Sequence, residues 1–344
     1  MALLYPFAAP LPRHTVEVAA GVRWIRLPMP FKLDHINVWA IDTTDGWALV
    51  DTGLNSPDTV ADWLALTAQG PLSRPLQGVY ATHMHPDHIG LAGWFTRRTG
   101  VPLHMSRLEY LSCRVLHADT NREAPRDGVQ FCRRAGWSEA AIEGYRSRFG
   151  SFGKHIHALP ESYRRLQDGQ QVRLGGNDWR IITTGGHSPE HVCLYCPDLK
   201  LLISGDQVLP KISSNVSVFA SEPQANPLQE WYASLGKLMS GVPDDVLVLP
   251  SHNEPFYGLH ERLDSLKAGQ DRALDRLRGS LAAGPQRIVD AFVALFGRPI
   301  GEQDAHQLSL ATGEAMACMN YLIARRVVKC VVDENDVAWY SLDT

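Results

Sequence analysis

The chain has 344 residues, of which 44% are hydrophobic and 20% charged, and its formal net charge is −4. This balance is ordinary for a globular protein and gives no general attraction to nucleic acid or to an anionic membrane. The first residues lack the basic start of a signal peptide, and no apolar stretch approaches the roughly 18 residues of a membrane span. We therefore expect a cytoplasmic protein without membrane segments.

The first hundred residues alternate predicted strands with predicted helices. Ser56 followed by Pro57 is typical of a helix start, and the helix is expected to continue to about Ala68. Alternation of strands and helices favours layered α/β architecture. Alternating or continuous apolar runs predict strands at 21–27, 36–41, 46–50, 78–80 and 101–104.

The middle of the chain changes character over about 105–170, where helical periodicity with many charges predicts two or three inserted helices. Such an insertion could wall a substrate site, or it could serve packing or dimerisation. The strand pattern then resumes, with two further helices. The predicted strands are 171–174, 179–184, 191–195, 201–204 and 246–250, and the predicted helices are 227–238 and 259–281.

The last segment, 284–344, is predicted to be a small unit separate from a larger domain at 1–283. Two helices followed by a hairpin suggest a winged-helix-like shape. Residues 301–344 hold three basic and seven acidic residues, so the basic face that DNA binding requires is missing and nucleic acid is not an expected partner. Packing or homodimer formation remains open for this unit. Its predicted helices are 285–296 and 304–325, and its predicted strands are 327–331 and 337–340.

The stretch from Ala81 to Gly90 holds three histidines and one aspartate within six positions. Neutral imidazole and ionised carboxylate are common metal ligands, and burying four such groups together without a cation would be costly. The stretch follows a buried strand and precedes a helix start, as in α/β sheets that carry their chemistry at strand ends. The four candidate ligands are His83, His85, Asp87 and His88.

Three later strand ends each add one candidate ligand: His187 at a glycine turn, Asp206 after a Ser-Gly pair, and His252 after Pro250-Ser251. The seven groups divide into two sets of three, with Asp206 placed to bridge them. This is a two-metal arrangement, with cations expected about 3.5–4 Å apart and a shared water or hydroxide. The predicted sets are His83, His85 and His187, and Asp87, His88 and His252.

Asp51 ends an earlier strand, within Asp51-Thr52-Gly53. We expect its carboxylate to orient one of the ligand histidines, since metal-bound histidines commonly donate their other N–H to a carboxylate. A simple turn carboxylate is the alternative.

The His-x-His-x-Asp-His stretch, followed in order by His187, Asp206 and His252, resembles the metallo-β-lactamase superfamily over roughly residues 20–255. The resemblance implies an α/β fold, a four-layer αβ/βα sandwich with two divalent metal ions, usually zinc, along one edge of the paired sheets. The insertion and the small C-terminal α+β unit are similar to a bacterial β-lactamase-like branch.

Departures from better-known branches narrow the expected chemistry. Zinc β-lactamases commonly have cysteine where this chain has Asp206, and oxygen-reducing di-iron relatives have an acid where it has His85. Only 45 residues separate Asp206 from His252, too few for the inserted domain of the nucleases. The 98 residues between His88 and His187 exceed the usual spacing of hydroxyacylglutathione hydrolases. These departures favour hydrolysis of some other small substrate.

The leading hypothesis is a dinuclear metal-dependent hydrolase that uses a metal-bridging hydroxide to cleave a thioester, ester or lactone of a small substrate. Asp87 and Asp206 are the expected catalytic residues, with Asp87 orienting the nucleophile. Zinc is the expected metal, with iron and manganese as alternatives that accept the same ligands. The expected substrate pocket contains Phe31, Leu33, His35, Ile212 and Asn215.

Two other functions remain open at this stage. The same pair of metals would also serve phosphodiester or phosphotriester hydrolysis, for which a lysine or arginine aimed into the pocket would be expected with an anionic substrate. The third hypothesis is a non-catalytic metal-binding regulatory protein that uses its C-terminal unit to reach a partner.

Overall fold

The computed structural model describes residues 3–343, so the predicted domain limits at Met1 and Thr344 lie outside the described residues. The first seven strands are β1 (Thr15–Ala19), β2 (Val22–Pro28), β3 (His35–Thr43), β4 (Gly46–Val50), β5 (Leu76–Tyr80), β6 (Leu103–Met105) and β7 (Arg164–Arg165). The others are β8 (Gln171–Leu174), β9 (Asn177–Thr184), β10 (His191–Cys196), β11 (Leu201–Gly205), β12 (Leu247–Pro250), β13 (Val328–Val332) and β14 (Ala338–Leu342).

The α-helices lie mainly between strands that run parallel. They are α1 (Pro57–Ala68), α2 (Pro86–Ile89), α3 (Ala92–Thr99), α4 (Arg107–Ala118), α5 (Arg126–Arg134), α6 (Glu139–Arg148), α7 (Pro227–Gly241), α8 (Leu259–Leu281), α9 (Phe292–Phe296) and α10 (Ala305–Ala324). Within residues 3–343, none of these helices combines the length and the apolar character needed to cross a bilayer.

The strands form two large sheets and one hairpin. The first sheet follows chain order from β1 to β7, antiparallel as far as β4 and parallel beyond it. The second sheet has the order β12-β11-β10-β9-β8, with one parallel pair, β11 and β12. Each parallel pair needs a crossover, and helices supply it for β4 to β5, β5 to β6 and β11 to β12.

The two large sheets pack face to face, and helices cover both outer faces. The core between the sheets contains Trp24 and Trp39 from the first sheet and Leu194 from the second. Helix α1 covers the outer face of the first sheet, where Trp63 is fully buried, and α7 and α8 cover the second, where Trp231 is buried. The expected four-layer αβ/βα sandwich is confirmed.

Strand β10 is buried on both faces, which explains why its sequence is a continuous apolar run rather than an alternation of apolar and polar residues. Its six residues are all buried, because one side faces the core between the sheets and the other faces the helices. Val192 and Leu194 belong to the central core, whereas Cys193 and Tyr195 belong to the outer one. A strand buried on both faces has no polar side.

The insertion contains three helices, as expected, but they do not pack as one body. Tyr110 and Cys113 of α4 belong to the core of the first sheet. Val129 of α5 and Ile142 of α6 belong instead to the core beside the second sheet. The insertion therefore spans the sandwich from one layer of helices to the other.

The helix predicted over 285–296 is wrong in its first half. Residues 285–288 are not helical, a short 3-10 turn follows at Val289–Ala291, and α9 begins at Phe292. Gln286 instead exchanges two backbone hydrogen bonds with Tyr340 of β14, with N–O distances of 2.9 and 2.8 Å. Those bonds use the N–H and C=O groups that a helix would need, and they add a bridge to the edge of the hairpin.

The C-terminal segment shares one apolar core with the rest of the second layer. Leu277 of α8, Phe292 of α9 and Met316 of α10 are buried in the same cluster as Ile142 of the insertion. The Trp137 indole N–H also donates to Thr312 Oγ1 of α10 at 2.9 Å, inside this core. One apolar core thus includes residues on both sides of position 283, and the domain boundary predicted there stays a prediction.

We expect Trp137→Phe to lower the free energy of unfolding by about 1–3 kcal/mol, because it leaves the Thr312 hydroxyl buried without its donor. Trp339→Phe is the matched control, since the Trp339 indole is partly exposed and donates locally to Asp333. Urea unfolding measures both changes. Equal losses for the two variants would contradict a specific role for the buried bond.

Candidate metal centre

All seven predicted ligand side chains meet at one edge of the sandwich. The segment after β5 carries four of them, two in the loop and two in α2, and the segments after β9, β11 and β12 carry one each. Within each of two groups, the candidate ligand atoms all lie within 4.8 Å of one another. The groups are His83, His85, His187 and Asp206, and Asp87, His88 and His252.

The first group is a cluster of three imidazoles beside one carboxylate oxygen. His83 Nε2 lies 2.9 Å from His85 Nδ1 and 3.3 Å from His187 Nε2. Asp206 Oδ2 lies 3.4 Å from His187 Nε2. These nitrogens converge on one small volume, as the ligands of a single cation would.

The second group faces the other oxygen of the same carboxylate. Asp206 Oδ1 lies 3.5 Å from His88 Nε2 and 3.4 Å from His252 Nε2. Asp87 Oδ2 lies 3.6 and 3.5 Å from the same two nitrogens. Asp206 therefore presents one oxygen to each group, which is the bridging position predicted for it.

The residues present fit divalent cations. His88 Nε2 and Asp206 Oδ1 are buried and have no hydrogen-bond partner, although they face each other. Buried polar atoms without partners are costly, and a cation would satisfy both. Ligands about 2.0–2.1 Å from a tetrahedral ion lie roughly 3.4 Å apart, close to most of the spacings given above. The cluster can hold metal ions.

The charges of the two groups differ. Burial alone would lower the pKa of His252, but the charges and hydrogen bonds of Asp206 and Asp87 raise it to about 10. Burial opposes ionisation of Asp87, yet the charge of His88 and a hydrogen bond from His252 bring its pKa to about 2. Burial and the neighbouring His187 lower the pKa of His85 to about 3. The Asp87 carboxylate is therefore ionised and is stabilised by nearby positive charge, while the His85 ring is neutral and has a free lone pair for a cation.

Asp51, which is expected to orient a ligand histidine, contacts His88 directly and is linked to His83 through Thr82. Its Oδ2 accepts hydrogen bonds from His88 Nδ1 at 2.8 Å and from Thr82 Oγ1 at 2.7 Å, and its Oδ1 accepts from the Thr82 N–H at 2.8 Å. Because the Thr82 hydroxyl donates to Asp51, it can accept from His83 Nδ1, which lies 3.0 Å away. One carboxylate thus fixes a histidine of each group.

Two backbone carbonyls hold the remaining later histidines. His187 Nδ1 donates to the Asn215 carbonyl at 2.7 Å, and His252 Nδ1 donates to the His35 carbonyl at 2.9 Å. The side chains of both acceptor residues also have protein partners. His35 Nε2 accepts from the Asn253 N–H at 2.9 Å, and the Asn215 amide donates to Glu314 Oε2 at 2.9 Å. The sequence predicts a pocket wall for His35 and Asn215; in the structure, their carbonyls hold two of the clustered histidines.

The other three predicted pocket residues have different surroundings. Phe31 and Ile212 are 57% and 41% exposed. Phe31 lies in the loop before β3, whose first residue is His35, and Ile212 lies in the loop that carries the Asn215 carbonyl. Leu33 packs against the core of the first sheet. Their role in a pocket stays a prediction.

Glu109 of α4 was missed by the sequence analysis. This fully buried carboxylate accepts hydrogen bonds from the Met84 N–H at 2.9 Å and from the Glu190 N–H at 2.8 Å. It therefore links the loop of His83 and His85 to the segment after His187. The available signal was an acidic residue on the buried face of α4, next to Tyr110 and one turn from Cys113.

His191 lies behind the site and does not belong to either group. Its Nε2 accepts from the Asp206 N–H at 3.2 Å, and its ring is fully buried. Gly205 has a φ of +52°, and a Cβ there would lie 2.4 Å from His191 Nε2. Glycine is thus required where the chain turns to present Asp206.

We expect Thr82→Val to lower metal affinity about 10-fold or more, because it removes the hydroxyl between Asp51 and His83. Thr96→Val is the matched control, since Thr96 is also buried but donates to the Gly93 carbonyl within α3. Competition with a chromophoric chelator measures both affinities. An affinity unchanged in Thr82→Val would contradict this orienting role.

We expect zinc binding at pH 7 to release protons. His252, with a pKa of about 10, and His88, whose pKa is raised by Asp206, Asp87 and Asp51 against burial, hold protons in the metal-free protein. Each must lose its Nε2 proton before that nitrogen can bind a cation, so affinity falls as the pH falls. Calorimetry in buffers of different ionisation enthalpy counts the protons. Release of none would contradict the raised pKa values.

Comparisons with known proteins agree with this geometry. The model of the Metallo-beta-lactamase superfamily matches residues 32–252, and that of a Metallo-beta-lactamase-like C-terminal domain matches residues 274–343. The structure is similar to that of a beta-lactamase domain protein from Burkholderia ambifaria, with a TM-score of 0.89 and 38% identity. That match covers 99% of this chain and 98% of the other.

Two sequence relatives cover most of both chains. The probable metallo-hydrolase YqjP of Bacillus subtilis is 25% identical over 281 residues, which is 79% of this chain and 84% of the relative. The acyl-coenzyme A thioesterase MBLAC2 of Gallus gallus is 27% identical over 246 residues, 70% and 80% of the two chains.

All seven clustered side chains lie within the segment that the first family model matches. The second model covers the region of α9, α10 and the hairpin. The expected family and enzyme class are both confirmed: the chain is a metal-dependent hydrolase and belongs to the metallo-β-lactamase superfamily.

Proposed function

We propose that this hydrolase is dinuclear and cleaves an ester-like bond of a small substrate, with thioesters as the first class to test and esters and lactones as the next. The observation that carries the proposal is the position of Asp206. Its two oxygens face two separate groups of nitrogen and oxygen ligands at 3.4–3.5 Å. A single cation would leave one of these groups without a partner.

Cations held by these residues would activate a water at neutral pH and polarise the scissile carbonyl. The chain's own residues fix where this happens. His83, held by Thr82, and His187, held by the Asn215 carbonyl, present their Nε2 atoms on one side. Asp87 stays ionised on the other side, where its carboxylate can accept a hydrogen bond from the attacking water and orient it.

The loop at Asn215 favours an uncharged acyl group over a phosphate. Ile212 exposes apolar surface there, as Phe31 does in the loop before β3. Cationic side chains near the loop at Asn215 are already paired: Lys211 lies 2.7 Å from Glu254, and Arg262 donates to the carbonyls of Leu209 and Ile212. The similarity to an acyl-coenzyme A thioesterase supports the same substrate class.

Zinc is the proposed metal for both positions. Five imidazoles and two carboxylates form a nitrogen and oxygen ligand set that suits zinc, and iron or manganese would accept it as well. Metal analysis of the protein purified without added metal would identify the native ions. We expect two per chain.

A hydrolysis screen tests the proposal. The zinc-loaded protein is assayed on an acyl thioester, an aryl ester, a lactone, a phosphodiester and a phosphotriester. We expect turnover of the acyl substrates. We also expect turnover to fall at least roughly 100-fold in Asp206→Ala and His85→Ala, because loss of a metal ligand costs more than loss of a residue that orients one.

Asp198→Ala and His306→Ala are the matched controls, since both residues are exposed and lie outside the clusters. They should retain wild-type turnover. Turnover of phosphorus esters alone would replace the acyl proposal by phosphoester hydrolysis. Full activity with one metal per chain would contradict the dinuclear centre.

A further inference from the structure

We infer that Glu314 of the C-terminal helix α10 is a positioning residue for the ligand His187, so that the C-terminal unit forms part of the metal centre. The inference rests on the proposed use of His187 as a metal ligand. It does not depend on which bond is cleaved.

A continuous chain of contacts links the two residues. His187 Nδ1 donates to the carbonyl oxygen of Asn215 at 2.7 Å. The side-chain amide of the same Asn215 donates to Glu314 Oε2 at 2.9 Å and to the Leu310 carbonyl at 3.4 Å. The residue that fixes the orientation of the His187 ring is therefore itself anchored on α10, about 100 residues further along the chain.

Both polar atoms of the Asn215 side-chain amide are hydrogen-bonded. The amide oxygen accepts from the Ser217 hydroxyl, and the amide nitrogen donates to Glu314. With both ends occupied, the amide has one orientation relative to α10. The backbone carbonyl of Asn215 is then held at a defined place for His187.

Close packing keeps this loop against α10. The Val218 N–H donates to the Gly313 carbonyl at 3.0 Å, one residue before Glu314. A Cβ at Gly313 would lie 2.7 Å from the Ser217 Cβ and 3.0 Å from the Val218 carbonyl oxygen, so no side chain fits there. The backbones of α10 and of the loop at 215–218 therefore approach as closely as glycine permits. Such close packing fixes the loop against the helix, as positioning a ligand requires.

The environment of Glu314 suits a hydrogen-bond acceptor rather than an ion-pair partner. Its carboxylate accepts from a neutral amide, and burial raises its pKa to about 7. Glutamine can accept the same hydrogen bond without the charge. Glu314→Gln should therefore preserve the positioning that Glu314→Ala removes.

The test is a metal-affinity measurement on the full-length chain with zinc and with cobalt. We expect Glu314→Ala to weaken one of the two cation sites about 10- to 100-fold and to change the cobalt absorption spectrum, leaving the second site near wild type. Glu314→Gln should restore most of the affinity. Glu302→Ala is the matched control, because Glu302 also links the C-terminal unit to the body, through Ser138, but has no contact with the Asn215 loop.

A second variant separates positioning from folding. Asn215→Ala keeps the backbone carbonyl but breaks its link to Glu314, so it should weaken the same site, and the double variant should lose little more. Equal wild-type affinities in Glu314→Ala and Asn215→Ala would overturn the inference. So would a loss at both sites together with a lowered thermal midpoint of the metal-free protein, which would indicate a structural role alone.

The outcome is independent of the hydrolysis screen. Weakening of one site in a protein that cleaves none of the acyl substrates would support the positioning role and reject the proposed function. Cleavage of thioesters with unchanged metal affinity in Glu314→Ala would do the reverse.

Discussion

The carboxylate of Asp206, shared between two groups of ligands, is the constraint on which the rest of the site depends. For its oxygens to face both groups, the chain must turn sharply at the end of β11, and Gly205 provides the left-handed conformation. His191 then accepts the Asp206 N–H from behind, in the space that a side chain at Gly205 would fill. A buried carboxylate in this position is stable only if positive charge lies close to it. The histidines of the second group supply protons in the metal-free protein, and cations replace them when bound.

The two groups of ligands are supported by different parts of the molecule. The second group depends on early strands: Asp51 at the end of β4 holds His88, and the His35 carbonyl in β3 holds His252. The first group depends in addition on later elements. Glu109 of the insertion holds the backbone at Met84, and the loop at Asn215 holds His187. The sandwich alone therefore supports the second group, while the insertion and the C-terminal helix also support the first.

The sequence was informative where structure is local. The seven clustered side chains could be picked out because each set follows an apolar strand, and residues 83–88 hold four of them. Glu109 and the backbone carbonyls could not be found in this way, because their roles come from contacts between distant segments and a carbonyl has no sequence signature. The helix prediction over 285–288 is wrong for a similar reason, a contact between distant segments. Gln286 pairs with Tyr340, 54 residues later, and this long-range bridge overrides the local helical preference.

The uneven support of the two groups has a consequence for how such a centre can be tuned. Changes in α4 or α10 alter the hydrogen bonds around His83, His85 and His187 without touching Asp51 or the central strands. Because such outer hydrogen bonds orient and tune metal ligands, changes in α4 or α10 can alter the first group while the second stays fixed. Ile212 is exposed on the same loop as Asn215, so under the proposed function changes there would also reshape the approach of the substrate. The loop at Asn215, which α10 anchors, would then influence both the first group and the substrate.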